Sequence, residues 1–138
     1  MRMEAMSDPK IRVIEGIYEA FGRGDIASIL EQCTDDVDWA SVAEAPVAPW
    51  HGVHKGKAEV PLFFEELAKT VDVTEFTQLS YAANDTDVLV VSRFGMKVKA
   101  TGKSGVMDIH HWWRFRDGKV FLYRGTEDTA LTAEMLRP

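Results

Sequence analysis

Residues 104–127, SGVMDIHHWWRFRDGKVFLYRGTE, decide the fold of this chain. They contain two β-rich runs, Ser104–Phe115 and Lys119–Glu127, separated by Arg116-Asp117-Gly118, which is typical of a hairpin turn. Successive side chains of a strand point to opposite faces of its sheet. One face of the first run therefore holds a core-like set with a single imidazole in it: Met107, Ile109, His111, Trp113 and Phe115. The stretch predicts an antiparallel sheet with one apolar face.

Two further β-rich runs, Val73–Ala83 and Asp87–Lys99, precede this hairpin. The amino-terminal half has helical periodicity instead. The elements predicted there are a helix beginning at Ser7-Asp8-Pro9, a second helix after Asp25 that includes Cys33, a strand at Val37–Ser41, a loop at Ala45–Gly56 and a third helix at Lys57–Thr70. A short helix at Asp128–Leu136 closes the chain. Helices first and a meander of strands second indicate an α+β fold, with the helices on one face of the sheet.

Length and charge restrict the class of protein. The chain has 138 residues, which suits one domain at 7–138, with residues 1–6 predicted to be a disordered tail. A net charge of −6 argues against a nucleic-acid partner, because a polyanion needs a basic face. No apolar run is long enough to cross a membrane, and a cytoplasmic location is expected by default. Cys33 is the only cysteine, so no internal disulfide can form, and we expect it to be a core residue.

The two faces of the sheet have different expected roles. The apolar face, covered by helices, is where a concave pocket forms. The opposite face carries Trp112 together with His110 and Arg124, and a large indole there favours a covering partner. We therefore expect a homodimer through this outer face. The alternative is a lone exposed tryptophan among polar neighbours.

Three segments of the chain together resemble the SnoaL-like, ketosteroid-isomerase-related family. They are Tyr18–Asp25 leading to Thr34–Trp39, Trp50–Gly56 before the third helix, and His110–Val120 followed by Arg124 and Glu127-Asp128-Thr129. The resemblance covers nearly the whole chain in the right order. It implies a nuclear-transport-factor-2-like (cystatin-like) fold, in which a cone-shaped, curved antiparallel sheet has three N-terminal helices packed on its concave face. This fold hosts isomerases, cyclases, hydrolases and non-catalytic binders, so it does not define the function.

The resemblance also places the family's acid and base positions. The tyrosine of ketosteroid isomerases falls on Tyr18, with Ile17 as the competing alignment, while their base falls on Ser41 and their acid on His111. The acidic residue of related cyclases and epoxide hydrolases falls on Gly125, which is expected to widen the pocket. The standard acids are therefore missing, and ordinary steroid isomerisation is not expected.

His111 and Tyr18 are the predicted catalytic pair. Burial keeps a histidine neutral, which suits proton abstraction or relay, although a core histidine bonded to Tyr18 would look the same in sequence. Glu127 is a candidate to orient His111 or to act as the acid. The predicted substrate-binding side chains are Trp39, Ser41, Trp50, Phe63, Met107, Trp113, Tyr123 and Glu127. They suit a small hydrophobic organic molecule, specifically a carbonyl compound.

Three functions remain open at this point. The first is an isomerase- or cyclase-type enzyme acting by proton transfer without a cofactor, since no phosphate loop or Rossmann fingerprint is present. The second is a non-catalytic small-molecule binder, and the third is a dimerisation module whose pocket is filled by tryptophans. His51 and His54 lack a third ligand at suitable spacing, so no metal site is expected, and His51 is expected instead to line the pocket mouth.

Overall fold

The structure of the protein is a computed structural model that describes residues 8–138. The predicted tail, residues 1–6, and the predicted helix start at Ser7 lie outside the described residues. In chain order the elements are α1 Pro9–Gly22, α2 Ile26–Glu31, β1 Cys33–Ser41, β2 Gly52–Lys55, α3 Gly56–Thr70, β3 Val71–Ala83, β4 Asp87–Val98, β5 Ser104–Arg116, β6 Lys119–Thr126 and α4 Thr129–Leu136.

Capping side chains begin three of the helices. Asp8 precedes Pro9 and accepts a hydrogen bond from the backbone N–H of Lys10 at 2.8 Å, which satisfies an amide that the first turn cannot. Asp25 caps α2 and Asp128 caps α4 in the same way. Gly24 adopts a φ of 70° between α1 and α2, a conformation that costs glycine little. The predicted helix boundaries follow from these signals.

The six strands form one curved sheet in the order β2-β1-β6-β5-β4-β3. The four strands predicted in the carboxyl-terminal half form an antiparallel meander, β3 to β6. β1 joins this meander by pairing in parallel with β6, so that Trp39 is the register partner of Tyr123 and Ser41 that of Gly125. This one parallel pair places β1 beside the hairpin that decides the fold.

Two details of the amino-terminal half differ from the sequence prediction. Cys33 is the first residue of β1 and not part of α2, because the helix ends at Glu31 and the chain pairs at once with Val120. It is fully buried, and burial raises the pKa of its thiol to about 11. The loop predicted over residues 45–56 contains a short strand, β2, which pairs with β1. Hydrogen bonds to a neighbouring strand are not visible in local sequence.

The core lies between the helices and the inner face of the sheet. α1 contributes Ile11, Ile14 and Ile17, at helical spacing, and α3 contributes Phe63 and Leu67. These side chains meet a cluster of buried rings from the strands: Trp39, Phe94, Trp113, Phe115 and Tyr123. None of the helices in residues 8–138 is long and apolar enough to cross a membrane.

Candidate functional site

A cavity of about 90 Å³ lies between α1, α3 and the inner face of the sheet. The ten side chains predicted as catalytic or substrate-binding all line it: Tyr18, Trp39, Ser41, Trp50, Phe63, Met107, His111, Trp113, Tyr123 and Glu127. The rest of the wall is almost entirely apolar. Residues far apart in sequence therefore meet at one place, while their roles in binding or catalysis stay predictions.

His111 is held by a chain of hydrogen bonds that begins at Trp113. The indole Nε1–H of Trp113 donates to the hydroxyl oxygen of Tyr18 at 3.2 Å, and that oxygen lies 2.8 Å from Nδ1 of His111. Burial raises the pKa of Tyr18 well above its ordinary value, so the phenol keeps its proton. With one lone pair of Tyr18 occupied by Trp113, its hydrogen has two acceptors within reach, Nδ1 of His111 and the Ser92 hydroxyl, and we assign it to Nδ1. The ring of His111 then carries its own hydrogen on Nε2.

This arrangement sets the chemistry of the imidazole. Burial, with a smaller contribution from the nearby His110, lowers the pKa of His111 to about 3. The ring is therefore neutral at physiological pH, as expected from the sequence. Its Nδ1 is occupied and its Nε2–H has no hydrogen-bond partner in residues 8–138. At neutral pH it offers a hydrogen-bond donor and not a free base.

Gly125 has a different role from the one predicted. It lies between Ser41 on β1 and His111 on β5, as the register partner of both. A Cβ atom at position 125 would lie 2.2 Å from the hydroxyl oxygen of Tyr123. The expected widening of the pocket is therefore wrong, because the phenol of Tyr123 fills the space that the absent side chain leaves.

Among residues 8–138, Glu127 is the only carboxylate on the cavity wall, and its partners are not the expected ones. Its Oε1 accepts hydrogen bonds from Trp50 Nε1 at 2.9 Å and from His51 Nε2 at 3.1 Å, and its Oε2 accepts one from the Thr132 hydroxyl. Burial alone would raise the pKa of Glu127, but the bonds from His51, Thr132 and Trp50 outweigh it and lower the pKa. The residue is an ionised, fixed carboxylate, and it makes no hydrogen bond to His111.

His51 is buried and has both ring nitrogens engaged. Nδ1 accepts hydrogen bonds from the backbone N–H groups of Val47 and Ala48, each at 3.2 Å, so the hydrogen is on Nε2 and points to Glu127. His54 packs edge-on against Phe63 instead. In the part of the chain that the structure describes, no three metal-ligating side chains come close enough to hold an ion.

On the outer face of the sheet, Trp112 contacts polar side chains of its own chain. Its indole N–H donates to Asp87 at 2.9 Å, and Asp87 also takes a two-pronged ion pair from Arg114, whose guanidinium lies 5.0 Å from the centre of the indole ring. These bonds lower the pKa of Asp87 to about 2, the largest effect being that of Arg114. Arg124 pairs with Asp38 at 2.9 Å, while His110 is exposed.

An α+β fold with a curved sheet, helices over its inner face and a cavity between them defines the nuclear-transport-factor-2-like class. Within that class, the family model described as "SnoaL-like domain" matches residues 14–123, most of the chain. The chain therefore belongs to the SnoaL-like domain family. No curated protein matches its sequence.

Solved structures agree with the fold. A protein of unknown function from Burkholderia pseudomallei with this fold is 20% identical, with a TM-score of 0.86, over 95% of this chain and 99% of the other. A similar protein from Burkholderia thailandensis is 26% identical, with a TM-score of 0.84, over 94% and 98%. TerC, co-crystallised with polyporic acid, is 22% identical, with a TM-score of 0.83, over 93% and 98%.

Sequence reasoning missed several residues of the site, among them Thr132 and Phe76. Thr132 is buried in α4 and binds Glu127, and Phe76 of β3 closes the cavity on the side of α1. A threonine in a short terminal helix carries no signal of such a contact. Phe76 could have been found only with the register of β3, which two bulges shift.

Proposed function

We propose that the chain is an isomerase- or cyclase-type enzyme that binds a small hydrophobic carbonyl compound in the cavity and moves a proton without a cofactor. The observation behind this proposal is the unpaired Nε2–H of His111, oriented by Tyr18, in an apolar cavity whose wall also holds an ionised carboxylate. This N–H borders the cavity, where a carbonyl oxygen of the ligand would accept its hydrogen bond.

Under this proposal, Glu127 is the general base and His111 is the hydrogen-bond donor to the carbonyl oxygen. Glu127 takes a proton from the carbon next to the carbonyl, so that a C–H bond breaks and an O–H bond forms on the carboxyl. The electron pair moves to the carbonyl oxygen, where His111 donates its hydrogen bond to the developing negative charge. Return of the proton to another carbon of the ligand completes an isomerisation. Attack of the enolate carbon on a second carbonyl carbon of the ligand, whose oxygen then takes the proton from Glu127, closes a ring instead. The lowered pKa of Glu127 makes it a weak base, which favours a ligand with an activated C–H bond.

The size of the cavity limits the ligand. Ligand pockets commonly measure roughly 300–1,000 Å³, and a cavity of about 150 Å³ holds benzene. At about 90 Å³, this one suits a few heavy atoms unless a ring moves. Tyr18, Phe21 and Phe76 separate it from a groove of about 510 Å³ between α1 and β3. We propose that a larger ligand enters by displacing Phe76.

Cyclohex-3-enone tests the reaction, because its activated C–H bond lies between a carbonyl and an alkene. With seven heavy atoms it is larger than the cavity as it stands, so its binding requires the proposed displacement of Phe76. Wild-type protein should convert it to the conjugated enone, followed by ultraviolet absorbance, and exchange its C2 hydrogens in D₂O, followed by NMR. His111→Ala should lower the rate by about 10²–10³-fold, the usual loss of one donor to an oxyanion. His111→Gln should keep part of it, because its amide can accept from Tyr18 and still donate into the cavity.

The glutamine variant separates two roles of His111. Glutamine can replace a hydrogen-bond donor in part but cannot replace a general base. Equal loss of rate in His111→Ala and His111→Gln would therefore support the base role predicted from sequence. No turnover of this probe by any form, together with ligand-dependent thermal stabilisation, would favour a non-catalytic binder. That second function is supported by the three hydrogen bonds that already engage Glu127. Native mass spectrometry of the purified protein would detect a carried-over ligand in either case.

We propose further that the outer face pairs with a second copy of the chain. Leu89 is 51% exposed there and lies beside Trp112 in the sheet register. The two cations nearest Trp112 on this face, Arg114 and Arg124, are paired with aspartates of the same chain, so no unbalanced charge lies beside the indole. An apolar row with paired charges suits an isologous dimer.

Leu89→Asp should convert this dimer to a monomer, because each copy would bury an unpaired carboxylate in the interface. The solution mass by light scattering should fall from twice 15.5 kDa to 15.5 kDa. Leu62→Asp is the matched control, since Leu62 is 49% exposed on α3, away from the sheet face. A wild-type protein that is already monomeric at micromolar concentration would rule the dimer out.

A further inference from the structure

The backbone conformation of β6 does not require glycine at position 125, so the reason for a glycine there lies in the surrounding side chains. Gly125 is not among the left-handed residues of the chain, so any side chain could adopt its conformation. The obstacle is the phenol of Tyr123, two residues earlier on the same face of β6, whose hydroxyl oxygen lies 2.2 Å and whose ring carbon Cζ lies 2.9 Å from the position of an added Cβ. Gly125 therefore allows the Tyr123 side chain to fold along its own strand.

The Tyr123 hydroxyl consequently lies over position 125, the middle position of a row of three register partners on β1, β6 and β5. Ser41 on β1 and His111 on β5 flank Gly125 directly, one strand spacing of about 4.8 Å to each side. The rings of Tyr123 and His111 have centroids 5.2 Å apart. In residues 8–138, neither the Tyr123 hydroxyl nor the Ser41 hydroxyl has a hydrogen-bond partner, and both residues line the cavity.

The Tyr123 hydroxyl faces the cavity, although the ring that carries it is buried. Tyr123 is 5% exposed and packs against Trp39 and Trp113, with ring centroids 4.2 and 4.5 Å away. Phenylalanine would fill the same space without a polar atom, so packing alone does not require the hydroxyl, which has no partner within residues 8–138. A ligand oxygen between Tyr123 and His111 would accept its hydrogen bond. The nearby charge of Glu127 raises the pKa of Tyr123 further than burial alone, so the group remains a neutral donor.

We propose that Tyr123 is a second ligand-contacting donor, which binds the same carbonyl oxygen as His111 and depends on Gly125 for its position. The inference rests on the proposed function and specifies its site: an oxygen held between a phenol and an imidazole N–H, in the gap above Gly125. Two neutral donors converging on one oxygen stabilise negative charge that develops there during proton transfer. The ligand is thus a compound whose reacting carbonyl can reach the sheet floor.

Tyr123→Phe tests this role, because it removes only the hydroxyl. The turnover of cyclohex-3-enone should fall by about 100-fold with little change in its apparent affinity. The variant should be as stable as wild type in urea, since no hydrogen bond within the described residues is lost. Tyr81→Phe is the matched control, because the Tyr81 hydroxyl lies at the groove between α1 and β3 and not in the cavity, and it should leave turnover unchanged.

A second readout does not depend on turnover. Infrared spectroscopy of bound cyclohex-2-enone should show a carbonyl stretch at lower frequency than in an apolar solvent, and Tyr123→Phe should reverse part of that shift. Gly125→Ala, which displaces the phenol, should reverse it as well. An unchanged carbonyl frequency in Tyr123→Phe would overturn the inference, even in a protein that binds the enone without turning it over. A wild-type protein that neither binds nor converts any enone would overturn the proposed function itself, and the inference with it.

Discussion

Glu127→Gln should abolish proton transfer while leaving the protein folded. A carboxylate that acts as general base supplies roughly 10²–10⁴-fold, and an amide cannot accept the proton, so the exchange of cyclohex-3-enone hydrogens should fall by that factor. Wild-type exchange should be independent of pH near neutrality and should fall only in acid, because the bonds from His51, Thr132 and Trp50 outweigh burial and lower the pKa of Glu127, and protonation removes the base. NMR exchange rates across pH 3–8 measure both effects.

Glu127→Gln should preserve the hydrogen bonds around position 127. Glutamine can keep its carbonyl oxygen facing Trp50 and His51, which are both donors. Its amide can then donate to the hydroxyl of Thr132, whose own hydrogen has a second acceptor in the carbonyl of Asp128 at 3.1 Å. Each group in the network retains a partner, so a loss of activity would report the missing charge.

Two further variants serve as controls for Glu127→Gln. Glu65→Gln removes a carboxylate from the exposed surface of α3 and should change nothing measurable. Thr132→Val removes one hydrogen bond to the carboxylate, which should raise the pKa of Glu127 and move the acid limb of the rate profile to higher pH. If Glu127→Gln exchanged hydrogens as fast as wild type, the base would have to be another group and the division of roles proposed for His111 and Glu127 would fail.

The sequence predicted the set of cavity residues better than their partners. Strand alternation was enough to place His111, Trp113 and Tyr123 on one face, because a period of two depends only on local backbone geometry. The partner of Glu127 was not predictable, since Trp50 and His51 are in a loop about 76 residues away, and their approach depends on the pairing of β2 with β1. Contacts between distant segments depend on tertiary packing, which local pattern does not encode.

Gly125 shows the same limit in a single residue. In sequence, a glycine at a family acid position indicates a lost function and an empty space. In the structure, the side chain of Tyr123 fills that space, because its rotamer directs the phenol along β6 towards position 125. The alternation that placed Tyr123 and Gly125 on one face could not say that one would cover the other.

Trp39→Ala should cost about 3–5 kcal/mol of unfolding free energy, the largest effect on stability expected in this chain. The indole is 2% exposed and packs against four other rings, those of Phe63, Phe64, Trp113 and Tyr123. Its removal takes away one wall of the cavity and the face on which the Tyr123 ring rests. A domain of this size has only about 5–15 kcal/mol of total stability, so the variant should be close to unfolding at 37 °C.

Urea denaturation measures this loss, and a smaller substitution shows what causes it. Trp39→Phe should cost much less than Trp113→Phe, although both rings are 2% exposed, because the indole N–H of Trp39 has no partner, whereas that of Trp113 donates to Tyr18. Added indole should restore part of the midpoint of Trp39→Ala by binding the enlarged cavity of the folded state. A loss below about 1 kcal/mol for Trp39→Ala would mean that the ring is not packed as described, since the removal of a well-packed tryptophan costs several times more.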